Sequence, residues 1–159
     1  MVFPIQSAGS APTSSAPTAP LLRVATAGEA LFDLIEEPDG LLKPCAGGAV
    51  YNLTRALGLQ GVGTLYLNPL SGDMLGRQLA RGLHDAGVAL AAPTPVRAPS
   101  ALALAALDAE GKASYSFYRD GVADRQVTVA ALNAACAALP ELQVVATGCL
   151  ALVAQDAAI

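Results

Sequence analysis

Tryptophan is absent from the 159 residues, histidine occurs once and cysteine three times. Aromatic residues make up 4% of the chain and charged residues 14%. Each scarcity removes a class of function. With His84 as the only histidine, a Ser-His-Asp or Cys-His site has one available base, and a zinc site has one imidazole. His84 lies in a charged helical stretch with Arg77, Arg81 and Asp85, so it reads as a solvated helix-face residue. Cys45, Cys136 and Cys149 are odd in number and widely spaced, and no pair has metal-ligand spacing. They read as small apolar side chains in a reducing, cytoplasmic setting. Basic residues are few as well, with 9 Lys and Arg against 13 Asp and Glu and a net charge of −4. That balance argues against a nucleic-acid surface and against a polybasic membrane patch. Mean hydropathy is +0.48, a value inflated by alanine. No run of about 18 uninterrupted apolar residues follows from it, so no membrane span is expected.

The common phosphate and nucleophile motifs are missing too. There is no GxxxxGK[ST] loop, no GxSxG elbow and no CxxC. Gly58, Gly61 and Gly63 do not make a GxGxxG fingerprint.

What is present is an alternation of short apolar runs and amphipathic stretches. Residues 1–20 are rich in Ser, Ala, Pro and Thr and carry no charge, which predicts a disordered tail with neither a secretory nor a mitochondrial signature. From residue 21 onward the texture is that of one folded unit. Strands are predicted at 22–27, 30–35 and 41–45. A helix opens at Gly47-Gly48, with Val50, Leu53, Ala56, Leu57 and Gln60 on one face and Gly58 or Gly61 ending it. A strand at 64–67 leads through a turn to a helix bearing Met74, Leu75, Leu79, Leu83 and Ala86, with Ser71 and Asp73 as candidate caps and Gly87 at its end. A strand at 88–92 is followed by a hairpin of 101–107 and 112–118 about a turn at 108–111. A helix capped by Thr128 runs to about Leu139, and a buried strand covers 142–146. This order predicts an α/β fold, a mainly parallel sheet flanked by helices with extra strands from the hairpin and the 30–45 region.

One constellation stands out chemically: Asp33, Gly47, Gly48 and Asn52. Asp33 is the single acid in Ala30-Leu31-Phe32-Asp33-Leu34-Ile35. A carboxylate among apolar neighbours is hydrogen-bonded or faces a wet cleft, because burying it alone is costly. Two glycines before a helix allow backbone to approach a ligand closely. Asn52, one turn later, offers a donor and an acceptor. The set suits a polyol. A turn, a glycine helix start and a solvated Asn account for the same residues, and without further pattern that reading leads.

The chain resembles the ribokinase-like (phosphofructokinase B-type) carbohydrate kinases, and within them the fructokinase-like branch. The resemblance is carried by Gly28-Glu29-Ala30-Leu31-Phe32-Asp33-Leu34-Ile35 and by the stretch from Gly47-Gly48-Ala49-Val50-Tyr51-Asn52 to Gly61. It continues in Leu70-Ser71-Gly72-Asp73-Met74-Leu75-Gly76, in Phe117-Tyr118-Arg119 and in Ala123-Asp124. Val50 and Ser71 stand where that family more often has smaller residues. The resemblance implies an N-terminal half, spanning 21–159, that holds most of the sugar pocket and a small β lid. It implies that Asp33, Gly47, Gly48 and Asn52 contact the sugar, that Tyr118 and Arg119 reach it from the lid, and that Asp73 is a cap. ATP and Mg2+ are the implied co-substrate and cation. Their residues and the catalytic aspartate, which the family carries in a Gly-Ala-Gly-Asp motif, are not found here, so the 159-residue chain alone is expected to be inactive and prone to association. A homodimer through the lid is implied for a full-length form. A non-catalytic sugar-binding module and a nucleoside kinase of the same superfamily are the alternatives.

Overall fold

The computed structural model describes residues 21–107, 113–148 and 150. The expected tail at 1–20, the hairpin turn at 108–111, Cys149 and the stretch 151–159 lie outside the described residues. The expected architecture is present as two four-stranded sheets and three helices. Strands β1 (Val24–Ala27), β4 (Thr64–Tyr66), β5 (Ala89–Leu90) and β8 (Val144–Thr147) form a parallel sheet in the order β5-β4-β1-β8. Strands β2 (Leu31–Glu36), β3 (Leu42–Gly47), β6 (Ala101–Leu107) and β7 (Ala113–Tyr118) form a mixed sheet in the order β3-β2-β6-β7. Only the β2–β6 pair of this second sheet is parallel. In the parallel sheet the chain moves from β1 to β4 and β5 on one side, then returns to β8 on the other. A topological switch point therefore opens between the carboxyl ends of β1 and β8, where ligands of open α/β sheets collect.

Strand alternation distributes the parallel sheet between two helical layers. Tyr66 of β4 faces α1 (Ala49–Leu59) and α2 (Met74–Asp85), where it joins Val50, Tyr51, Leu79 and Leu83 in the largest core cluster. Ala25 of β1 and Leu65 of β4 point the other way, toward Leu132, Ala135, Cys136 and Leu139 of α3 (Val129–Ala137) and the turn after it. Asp73 caps α2 by accepting from Gly76 N–H at 2.7 Å, and Thr128 caps α3 by accepting from Ala131 N–H at 3.1 Å, as the sequence predicts. Gly87 closes α2 in the left-handed region, at φ 75°.

Two expectations need correction. The buried face of α1 is Val50, Tyr51 and Thr54, and Leu53 is 42% exposed. Polar anchors turn the helix: the Thr54 and Thr26 hydroxyls bond each other at 2.7 Å, and the Tyr51 hydroxyl reaches Leu79 C=O at 3.4 Å. The strand expected to be buried at 142–146 is β8, an edge strand whose Val144 and Val145 are 51% and 55% exposed. An apolar run marks a strand without stating whether a neighbour covers it. His84 is exposed, as its charged surroundings predict.

Candidate functional site

Asp33 lies in the middle of β2, with Cys45 of β3 and Ala103 of β6 as its lateral partners, and Ala103 pairs in turn with Phe117 of β7. The row Cys45–Asp33–Ala103–Phe117 thus occupies one face of the mixed sheet. Leu31, Gly47 and Ala101 form the next row on that face. Gly47 contributes no side chain, and an Asp33 carboxylate oxygen occupies the space that a Gly47 Cβ would take. Partial burial raises the Asp33 carboxyl above its ordinary value. Asp33 is therefore a half-buried acceptor laid over bare backbone.

Gly48 joins this layer to α1. Its φ of 102° is open to glycine and strained for other residues. A Cβ there would stand 2.7 Å from the Glu29 carbonyl oxygen. Glu29 is 2% exposed. One of its carboxylate oxygens accepts from Ala49 N–H at 2.9 Å, and its carbonyl accepts from Tyr51 N–H at 3.2 Å. A backbone donor at the positive end of α1 is thus already met by the buried Glu29 side chain. Asn52 follows one turn later, exposed on α1, with its backbone N–H bonded to Gly48 C=O at 2.9 Å. Asp33, Gly47, Gly48 and Asn52 accordingly fall at one junction of β2, β3 and α1.

Tyr118 and Arg119 part company. Tyr118 pairs with Leu102, so it shares a face with Phe32 and lies opposite Asp33, 59% exposed. Phe117 takes the place on Asp33's face, 46% exposed and stacked on Tyr115 with ring centroids 6.0 Å apart. Arg119 turns inward and is 6% exposed. Its guanidinium donates to Leu150 C=O at 3.1 Å and stands 3.6 Å from an Asp124 carboxylate oxygen. Asn68 closes the network, donating to Asp124 C=O at 2.7 Å and accepting from Gly28 N–H at 2.8 Å. Burial pushes the Asp124 carboxyl up, against the opposing pull of Arg119. Asp73 belongs elsewhere, in its cap. Burial would raise its carboxyl, but hydrogen bonds from Gly76 N–H, from Ser100 N–H and from the Ser100 and Ser71 hydroxyls outweigh that and hold it below its ordinary value.

A concavity of about 210 Å3 is lined by Gly28, Asn68, Arg119, Asp124 and Leu150 among others. Leu150 also packs against Leu31, Ala101, Ala103 and Val122, so Asp33's sheet face and this cleft share a wall. A larger hollow of about 370 Å3 at the β2–β3 turn, lined by Glu36, Glu37, Pro38 and Gly40, touches none of these residues.

No family model matches the chain. A fructokinase of Rhizobium leguminosarum bv. trifolii is 35% identical over 109 residues, which is 66% of this chain and 33% of that protein. The crystal structure of a fructokinase from Xylella fastidiosa superposes with a TM-score of 0.61 at 32% identity, covering 69% of this chain and 37% of that one. The chain belongs to the ribokinase-like sugar kinase family. Within that family it is fructokinase-like: fructokinase-1 of Oryza sativa subsp. japonica is 33% identical over 122 residues, 69% of this chain and 36% of the relative. The chain spans about a third of the length of these ribokinase-like relatives. A second structure of the Xylella fastidiosa fructokinase holds bound ATP.

Reasoning from sequence named Glu29 only as part of a resembling stretch and missed its cap on α1. It also missed Phe117, which ordinary strand parity would have offered once the register of β6 and β7 was known. Asp124 stands only five residues after Arg119 and in the same resembling stretch, but the sequence alone does not show that the two side chains meet.

Proposed function

We propose that residues 21–159 are the sugar-binding part of an ATP-dependent, fructokinase-like carbohydrate kinase. The observation that carries this is the half-buried Asp33 carboxylate lying over the bare Gly47 backbone, beside the glycine start of α1. A carboxylate accepts from two hydroxyls at once, and exposed backbone lets a flat, hydroxyl-rich ring approach within bonding distance. Asn52 then serves a further hydroxyl, and Phe117 supplies an apolar wall against the ring's C–H groups in place of Tyr118.

The described residues do not fit a nucleotide. The N-terminus of α1, which opens at Gly47-Gly48, is occupied by the Glu29 side chain, and that of α2, which opens at Gly72, is capped by Asp73. Among the described residues no group of three or more His, Cys, Asp or Glu stands together to hold a metal. No step of phosphoryl transfer is assigned to these residues. The chain's own residues bind the acceptor sugar and orient it. By itself the 159-residue chain binds without turnover, in the cytoplasm, where Cys45 and Cys136 remain free thiols. A homodimer formed through the mixed sheet is part of the same reading, because that sheet exposes Ile35, Leu42 and Tyr118.

The test is calorimetric titration of the chain with D-fructose beside its Asp33→Asn variant. Loss of charge-assisted bonds predicts weakening by roughly tenfold or more. Equal affinity of the two proteins removes Asp33 from the site. A coupled assay with ATP, Mg2+ and fructose checks the absence of turnover, and sugar-dependent ADP release refutes it.

A further inference from the structure

Strand β5 is the outermost strand of the parallel sheet, with β4 on one side and no described strand on the other. The two pair in parallel with Tyr66 opposite Leu90, and Ala91 N–H donates to Tyr66 C=O at 2.9 Å. Alternation along a parallel strand then turns the Leu90 N–H and C=O away from β4, toward the open side. An edge of this kind is a template for one more strand. Leu90 shares the Tyr66 face of the sheet, the face that α2 covers, and its side chain packs with Ala80 of α2 against the largest core cluster.

Along that edge α2 and β5 border a groove of about 580 Å3, lined by Arg77, Ala80, Arg81, His84 and Leu90. Ala80 and Leu90 are its apolar floor. Arg77, Arg81 and His84 stand on one flank of α2 at spacings of four and three residues, and all three are exposed. His84 has a carboxylate neighbour, Asp85 at 3.4 Å. Arg77 donates to the Gly72 carbonyl, and among the described residues no carboxylate lies within ion-pair reach of Arg77 or Arg81. The chain carries a net charge of −4, yet this groove has a basic rim.

Edge and rim together specify an occupant. Pairing with the Leu90 backbone needs an extended peptide, which neither a lipid nor a nucleic acid supplies. On an added strand, side chains that share the Leu90 face lie about 6.7 Å apart. Residues four apart along a helix are separated by a rise of about 6 Å. Acids at alternate positions of the strand therefore match Arg77 and Arg81, and their methylene groups lie over the apolar floor. This chain's own acidic run, Glu36-Glu37-Pro38-Asp39, enters a turn at Pro38, so a second copy offers no such strand. We infer that the β5 edge and the groove under α2 dock an extended segment of a partner protein, with Asp or Glu at alternate positions, as a fifth strand of the parallel sheet. The surface shares no residue with the junction of Asp33, Gly47, Gly48 and Asn52.

The probe is a fluorescein-labelled hexapeptide of alternating Glu and Val, titrated with the 159-residue chain and read by fluorescence anisotropy. A hexapeptide of alternating Lys and Val is its control. The acidic peptide should bind about tenfold or more tightly than the basic one, and the double variant Arg77→Glu, Arg81→Glu should weaken it by about tenfold or more. Both arginines are exposed, so the double variant should melt like the unaltered chain by circular dichroism. N-Methylation of alternate peptide amides reads the strand pairing: methylating the set that faces β5 should abolish binding, and methylating the other set should leave it intact. Hydrogen exchange at the Leu90 amide should slow in the bound state. Equal binding of the acidic and basic peptides, or equal binding to the unaltered chain and the double variant, refutes the docking surface. Binding that survives methylation of either set is charge attraction alone and refutes strand addition. If the chain instead self-associates in sedimentation and the double variant loses that association, a second copy fills the groove and the partner segment is refuted.

Discussion

The two helical layers of the parallel sheet are built to different standards. Under α1 and α2 the packing is closed: Tyr51, Tyr66, Leu79 and Leu83 are all nearly or completely buried. Under α3 no helical residue is fully buried, and β8 beside it leaves both valines half exposed. The difference begins in sequence. α2 gathers Leu75, Leu79 and Leu83 on one stripe against Arg77, Arg81 and His84. α3, Val129-Ala130-Ala131-Leu132-Asn133-Ala134-Ala135-Cys136-Ala137, is apolar all round and turns mostly small residues to the sheet, with Leu132 the one large side chain of the helix that packs there. An amphipathic stripe fixes one face toward a core, whereas an alanine-rich helix can turn without penalty. The closed layer is the one that carries α1 and therefore the glycine junction of the candidate site.

The sharpest way to break this comparison is to truncate one side chain in each layer. Leu83→Ala in α2 should destabilise the chain by about 2–5 kcal/mol, because the cavity opens in packed surroundings. Val145→Ala in β8 should change stability by about 0.5 kcal/mol or less. Urea denaturation of both variants measures the difference, and equal losses would mean that the two layers are equally packed.

The caps offer a smaller version of the same contrast. Asp73→Ala removes a cap that also holds Ser100 N–H at 2.8 Å and the Ser100 hydroxyl at 2.8 Å, so about 1–2 kcal/mol should be lost. Thr128→Ala removes an exposed cap with one bond, and about 0.5 kcal/mol should be lost. The two also differ in pH dependence. The folded Asp73 carboxyl titrates below its ordinary 3.8, so its stabilisation is complete above that value and disappears as pH falls through the lowered pKa. Thermal melts of Asp73→Ala between neutral and strongly acid pH should therefore converge on those of the unaltered chain, and those of Thr128→Ala should run parallel to it.

Asp33 should show the opposite sign. Its carboxyl is raised by burial, so its ionisation lowers stability as pH rises from 3.8 through the raised value. Asp33→Asn should thus leave the melting temperature at neutral pH unchanged or slightly higher, while sugar affinity falls. A melting temperature that drops together with affinity would make Asp33 a structural residue. The smallest effect is expected at the open edge: Val144→Lys should leave stability nearly untouched yet reduce concentration-dependent association, as sedimentation would register. Unchanged association would place the sticky surface elsewhere, for instance at Tyr115 and Phe117 on the mixed sheet.

Much of the fold was legible because its signals are local. Gly87 and Thr128 bound helices through their own backbone or side-chain chemistry, and the stripe of α2 has one reading. The site was legible in part for a related reason. An acid in an apolar strand and a glycine pair before a helix are anomalies in any context, so Asp33, Gly47 and Gly48 could be singled out without a structure. The α1 face was misjudged because hydroxyl pairs such as Thr26–Thr54 weigh nothing in a hydrophobic pattern, yet they decide which way the helix turns.

What the sequence determined by itself, then, is the succession of elements, their caps and the residues chemically out of place. What the tertiary structure alone decided is partnership and parity. Register puts Phe117 on the same face as Asp33 and sends Tyr118 to the other, and a slip of one residue would exchange them. Long-range packing brings Glu29 under the first turn of α1 and beside Gly148, and it carries the Arg119 guanidinium to Leu150 C=O. No local pattern encodes the meetings of Phe117 with the Asp33 face or of Glu29 with α1 and Gly148, because each joins segments far apart in the chain that only the closing of the sheets brings together.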